Sequence, residues 1–169
     1  LIDKWVKEKM KINFDKNGDL AKKGKVNKNF IENFLLDSYY KKKKPKSLDI
    51  KDLNLINIEK LSLEDGCATL SMITAETICY AIKNIEKTPN TIIFTGGGRK
   101  NEFIIECIKK KLNKPVHLID EFNFDGDFTE SQAFAYLAIR SYLNKFISLP
   151  GTTGVKKPSV GGLICKFKL

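Results

Sequence analysis

The sequence predicts an α/β fold, and three observations carry that prediction. Thr91 to Thr95 is a short β-branched and aromatic run, and Gly96-Gly97-Gly98 follows it at once. From Asn101 to Leu112, Ile104, Cys107, Ile108 and Leu112 recur at helical spacing. Val116 to Ile119 is a second strand-like run. Strand, glycine turn, helix and strand within about 30 residues is the sequence form of a β-α-β unit.

The other elements can be read in order. Leu1, Ile2, Trp5, Val6 and Lys9 fit a short amphipathic helix already running at the first residue. Asp15-Lys16-Asn17-Gly18-Asp19 is a polar turn carried by Gly18. A calcium loop would need Gly at its sixth position and Glu at its twelfth, where Leu20 and Val26 stand. Residues 28 to 37 read as a helix with Phe30, Phe34 and Leu35 on one face and Asn27 as its cap. Tyr39 to Asn57 is loop-like around Pro45. After Asp65 a long helix begins, with Leu70, Ile73, Thr74, Thr77, Ile78, Ala81, Ile82 and Ile85 at helical spacing, and Pro89-Asn90 stops it. Beyond the β-α-β unit, Glu130 to Lys145 reads as a last helix aligning Phe134, Leu137, Ala138, Ser141 and Tyr142. The tail carries Pro150-Gly151-Thr152-Thr153-Gly154, then Gly161-Gly162 and a final apolar run. No internal repeat is present.

Length and composition narrow the function classes. The 169 residues fit one domain or one lobe of a larger fold, and 42% hydrophobic residues can bury a core. The net charge of +10 raises nucleic acid or acidic ligands as partners. The lysines are scattered, however, and the run Lys41 to Lys44 lacks interleaved aromatics, as a solvated loop would. Arg99 and Arg140 are the arginines of the chain. Cys67, Cys79, Cys107 and Cys165 form no Cys-x-x-Cys pair, and His117 is the sole histidine, so a zinc site of ordinary spacing is not expected. Three of these cysteines fall in apolar helical patterns and read as buried free thiols, which suits a reducing cytosol. No apolar run is long enough for a membrane span, Leu1 to Lys11 is no signal peptide, and without an initiator Met the chain reads as a fragment.

The chemistry concentrates at Ile92-Ile93-Phe94-Thr95-Gly96-Gly97-Gly98-Arg99-Lys100-Asn101. A strand delivers the chain to a turn without side chains, where a phosphate or a flat ring can approach the backbone. The helix that follows offers free N–H groups and the positive end of its dipole. No Lys-Ser/Thr follows the glycines, so this is not a P-loop, and a tight turn without ligand is the other reading. Lys100 and Asn101 stand at the helix entrance, where Lys100 serves equally as a solvent-facing charge. Glu130 is either a site carboxylate or a partner of the helix dipole. Thr152 and Thr153 either line a cleft or belong to a turn. The acids Asp120, Glu121, Asp125 and Asp127 suit a solvated loop better than a metal site. His117 lies in a strand pattern and reads as structural.

The order of several blocks resembles the C-terminal half of the anhydro-N-acetylmuramic acid kinases, members of the actin, hexokinase and heat-shock ATPase superfamily. Leu1-Ile2-Asp3-Lys4-Trp5 resembles the segment after the family's Asp-x-Gly-Pro-Gly-Asn motif. Phe14-Asp15 through Gly18, then Ala21 through Asn27, Pro45-Lys46-Ser47, Ala68-Thr69-Leu70 and Thr74-Ala75 follow in sequence. Gly96-Gly97-Gly98 with Asn101 resembles the nucleotide-side glycine motif, Glu130 to Ala138 a Glu-x-x-Ala-Phe-Ala helix, and Leu149 to Gly154 the tail. One departure is Leu48-Asp49-Ile50-Lys51, where many relatives have Thr-Gly-Arg-Glu, so no role of that arginine carries over. Neither Asp-x-Gly-Pro-Gly-Asn nor the phosphate loop Gly-Thr-Ser-x-Asp-Gly occurs in the chain.

The resemblance implies an actin-like, ribonuclease H-like ATPase lobe, the C-terminal half of a two-lobed sugar kinase. Residues 1–60 would be a helical and loop segment continuing from a missing N-terminal part, and residues 61–169 the α/β lobe. It implies ATP and Mg²⁺ as cofactors, with Gly96, Gly97, Gly98, Lys100 and Asn101 toward the nucleotide, Glu130 as the catalytic candidate, and no metal ligand in this chain. The implied substrate is 1,6-anhydro-N-acetylmuramic acid, converted to N-acetylmuramic acid 6-phosphate in the cytoplasm during cell-wall recycling. A fragment without the base aspartate is expected to be inactive. A homodimer is an open option; nucleic acid and membrane are not expected partners. The rivals are another sugar or carboxylate kinase of the superfamily and a basic, non-catalytic nucleic-acid-binding module.

Overall fold

The computed structural model describes residues 1–35, 58–85, 87 and 89–165. The loop around Pro45, the Lys41 to Lys44 run, Pro45-Lys46-Ser47 and Leu48 to Lys51 lie outside the described residues.

Helix α1 (Ile2–Met10) is followed by a 3-10 turn over Lys16–Gly18, a short helix α2 (Asp19–Lys23) and α3 (Lys28–Leu35). Asp15 holds this corner: its carboxylate accepts from the Leu20 and Ala21 backbone N–H groups at 2.9 and 3.1 Å. It caps α2, and Gly18 makes the bend at φ 72°. Asn27 caps α3 by accepting from the Phe30 N–H at 3.0 Å.

The long helix α4 (Leu63–Lys83) is the hub, and it packs against α1, α2 and α3. It starts before Asp65 because the Ser62 hydroxyl caps it, accepting from the Asp65 N–H at 3.1 Å. Gly66 through Ser71 are all buried, so this end of α4 is covered on every side. Thr74 and Thr77 fit the helix by donating back to the Leu70 and Ile73 carbonyls. Gly66 is required by Trp5: a Cβ there would stand 2.3 Å from the indole, whose N–H donates to the Leu63 carbonyl.

Strands β1 (Ile92–Phe94) and β2 (Val116–Leu118) pair in parallel, Ile92 opposite Val116 and Phe94 opposite Leu118. Helix α5 (Glu102–Lys111) makes the crossover and packs on α4. The β-α-β unit is therefore present as the sequence predicts. Asn101 is its N-cap, accepting from the Ile104 N–H at 3.1 Å. The second strand stops one residue short of the expected Ile119, where a 3-10 turn, Ile119–Phe122, begins. Ala75, Cys79, Ile104, Cys107, Ile108, Leu112 and Val116 form the core between α4, α5 and the sheet. A second core joins Trp5, Val6 and Ala21 to Ile58, Cys67 and Leu70.

Helix α6 (Thr129–Tyr142) ends before Lys145 because Asn144 turns left-handed at φ 52°. No residue of α6 is buried; Phe134, Tyr136, Ile139 and Tyr142 are all exposed. The short helix α7 (Pro150–Thr153) completes the described elements.

Candidate functional site

Three glycines separate β1 from α5, and they have two different jobs. Gly96 stands at φ 77° and ψ 175°, a conformation open to glycine alone. Its N–H donates to the Gly126 carbonyl at 3.1 Å, so the turn leans on the loop after β2. Gly97 and Gly98 do not need a left-handed backbone, and a Cβ on either would meet no atom within 4 Å. Among the described residues nothing demands glycine at these two positions, and the open space beside them leaves the backbone free for close approach by a ligand.

That space is a pocket of about 580 Å³. One wall is Gly97, Gly98, Lys100, Asn101 and Ile104; the other is Ile2, Asp3, Phe14, Asp15, Lys16 and Asn17. Its size falls in the range of small-molecule sites. Three apolar side chains, Ile2, Phe14 and Ile104, line it together with two lysines, Lys16 and Lys100, a composition that can take a ligand with a flat end and an anionic end. Asn101 and Asp15 are both engaged by helix N-termini, so they shape the walls. Among the described residues no group of three or more His, Cys, Asp or Glu side chains could cage a metal ion.

The glycine turn is held from behind by Arg99, which is almost fully buried. Its guanidinium donates to both oxygens of Asp120, to Asp127 Oδ1 at 2.7 Å and to the Gly96 carbonyl at 3.0 Å. Arg99 holds the Asp120 carboxyl well below the usual carboxylate range. Lys100, then Arg99, lowers that of Asp127. Gly126 must be glycine because a Cβ would run into the Arg99 guanidinium at 2.2 Å.

The structure thus brings Gly97, Gly98, Lys100 and Asn101 to one wall, with Gly96 supporting them. It does not bring Glu130 or the threonines there. Glu130 is exposed in the first turn of α6, and Thr152 and Thr153 turn their hydroxyls back to the Leu149 carbonyl. His117 pairs through Nδ1 with Glu121 at 2.7 Å, and the Leu118 N–H, then His117, keeps that carboxyl low. Sequence reasoning missed the opposite wall, from Ile2 to Asn17, and missed the Arg99 clamp. A signal for the clamp existed: in a chain that uses lysine almost throughout, an arginine marks a place where a planar fork is needed. Arg140 behaves alike, donating to the Phe146 carbonyl at 2.8 Å and to the Tyr136 hydroxyl.

The sequence profile of the anhydro-N-acetylmuramic acid kinase family matches residues 1–166. The chain is 44% identical to an anhydro-N-acetylmuramic acid kinase of Pelagibacter ubique, covering 98% of this chain and 46% of that protein. It is 40% identical to one of Zymomonas mobilis, over 97% and 45% of the two chains. For one of Rhizorhabdus wittichii the identity is 36%, over 96% and 45%. The chain spans a little under half the length of these relatives.

Proposed function

The chain belongs to the anhydro-N-acetylmuramic acid kinase family, and from that premise we propose that it forms part of an ATP-dependent kinase acting on 1,6-anhydro-N-acetylmuramic acid. In this reading the lobe has the actin-like architecture, with the division near residue 60, and the enzyme works in the cytoplasm. Among the described residues no helix is long and apolar enough to cross a membrane.

The observation that carries the reading is the open face of Gly97 and Gly98 above a pocket walled by Lys16 and Lys100. The backbone at the glycines admits the nucleotide closely, and the α5 N-terminus and the lysines favour its phosphates. Mg²⁺ would arrive with the phosphates, which supply much of its coordination in nucleotide sites. In the implied reaction, water adds at the anomeric carbon and the anhydro bridge opens. The freed oxygen takes the γ-phosphoryl group, and a base aspartate takes the proton of the water. That aspartate belongs to the Asp-x-Gly-Pro-Gly-Asn motif, which this chain does not contain. This chain therefore positions the nucleotide and by itself forms no sugar phosphate. Glu130 would act at the sugar or phosphate side of the completed cleft.

Two measurements test this. Calorimetric titration of the chain should show ATP binding that strengthens with Mg²⁺; no binding under either condition would remove the nucleotide pocket. A chimera in which this chain replaces the matched segment of the Pelagibacter ubique relative should phosphorylate the anhydro sugar, whereas the isolated chain should not. An inactive, folded chimera would count against the substrate, and turnover by the isolated chain against the division of roles.

A further inference from the structure

The Lys100 ammonium is not waiting free in the pocket. Its Nζ donates to Asp127 Oδ2 at 2.5 Å, while Asp127 Oδ1 accepts from Arg99 Nη1 at 2.7 Å. The Lys100 and Asp127 side chains are half-exposed, whereas that of Arg99 is buried and is anchored independently by Asp120 and the Gly96 carbonyl. An exposed ammonium can exchange one anion for another at small cost. Asp127 would not be orphaned by the exchange, because the buried guanidinium stays on it. Lys16, the other cation on the pocket wall, has no acidic partner within 4 Å among the described residues.

We propose that Asp127 is a positioning residue that parks Lys100 beside the glycine turn and yields it to the phosphates of an incoming nucleotide. This rests on reading the glycine pocket as a nucleotide site. Before binding, Asp127 shares its charge between Arg99 and Lys100. After binding, it pairs with Arg99 alone and Lys100 Nζ lies on a phosphate oxygen. Asp127 therefore competes with the ligand and sets how tightly a polyphosphate is held, while leaving the uncharged nucleoside end unaffected.

The competition makes an unusual prediction: weakening a hydrogen-bonded pair should improve binding. Asp127→Asn keeps an oxygen for Arg99 and removes the charge that holds Lys100. ATP titrated into this variant should bind about three- to five-fold more tightly than to the unaltered chain, the worth of one exposed ion pair. Adenosine should bind both proteins equally. In a Lys100→Met background the same Asp127 change should bring no gain. Equal or weaker ATP binding by Asp127→Asn with an unchanged melting temperature would overturn the proposal. So would an equal gain with Lys100 already removed, which would make Asp127 a general repulsive charge. If Asp127→Asn fails to fold, Asp127→Ser makes the same test with a hydroxyl for Arg99. ATP binding by none of these proteins would instead remove the nucleotide reading itself, and the parking role with it.

Discussion

Arg99 and Asp120 meet as two parallel forks: Nε donates to Oδ2 at 2.6 Å and Nη2 donates to Oδ1 at 2.8 Å. The pair ties the turn after β1 to the turn after β2, at the C-terminal ends of the two parallel strands. Bidentate geometry fixes orientation as well as distance. It also makes the clamp sensitive to acid. The Asp120 carboxyl is lowered in the folded chain, chiefly by Arg99, so the folded state binds fewer protons than the unfolded one. The stabilisation is full above the ordinary aspartate pKa of about 3.9 and is lost as pH falls below it. Melting temperature measured from pH 5 down to pH 2 should therefore fall, and Asp120→Asn should flatten that fall while lowering the plateau above pH 5. Parallel curves for the two proteins would show that the pair does not couple stability to pH.

Gly96 and Gly97 should separate backbone need from ligand need. Gly97→Val meets open space and an ordinary φ, so the melting temperature without ligand should change little. ATP affinity should fall by roughly ten-fold or more, about 1.4 kcal/mol. Gly96→Val should behave differently, losing about 1 kcal/mol or more of stability from its positive φ before any ligand is added. Calorimetry beside thermal melts reads both. Unchanged ATP affinity in Gly97→Val would reduce the glycine run to a strand-to-helix turn.

The β-α-β unit was legible because local signals agree there: β-branched runs, a glycine turn and a helical stripe all fall in order. The pocket was half legible. Its glycine wall is contiguous in sequence, but its other wall comes from the turn around Lys16, some 80 residues earlier in the chain. It meets the glycines because Gly18 packs on Asn101 and Phe103. No local pattern states a long-range contact of that kind. Helix boundaries shifted by a few residues where a cap outweighed periodicity, at Ser62, or where one Asn left the helical region, at Asn144.

Glu130 has its own test, in the chimera with the Pelagibacter ubique relative. Glu130→Gln keeps size and removes charge. A carboxylate acting in the completed cleft predicts a fall in kcat/KM of at least about 10-fold, or about 1.4 kcal/mol of transition-state stabilisation. Unchanged kinetics with unchanged folding would leave Glu130 as a residue placed well for the α6 dipole.

Gly66 tests the hub. Adding one methyl group should push against the Trp5 indole at 2.3–2.5 Å, where the α1–α4 contact leaves no slack. Gly66→Ala should cost about 1–3 kcal/mol by overpacking, despite the better helix propensity of alanine. Trp5 is the sole tryptophan, so its emission reports the displacement directly. An unchanged or higher melting temperature would mean that α1 slides without cost.

The bare surface of α6 bears on what a melting curve of this chain means. A helix with no buried residue draws almost no stability from neighbours, and a helix of 14 residues is marginal in water without them. Its opening is then decoupled from the loss of the cores around Cys67 and Ile108, and all-or-none unfolding breaks down. Far-ultraviolet ellipticity, which counts every helical residue, should begin to decline at temperatures where Trp5 emission is still native. Backbone amides from Gln132 to Tyr142 should exchange with deuterium long before those from Thr69 to Cys79, and the gap between the two sets measures how little of this protein's cohesion reaches its last long helix.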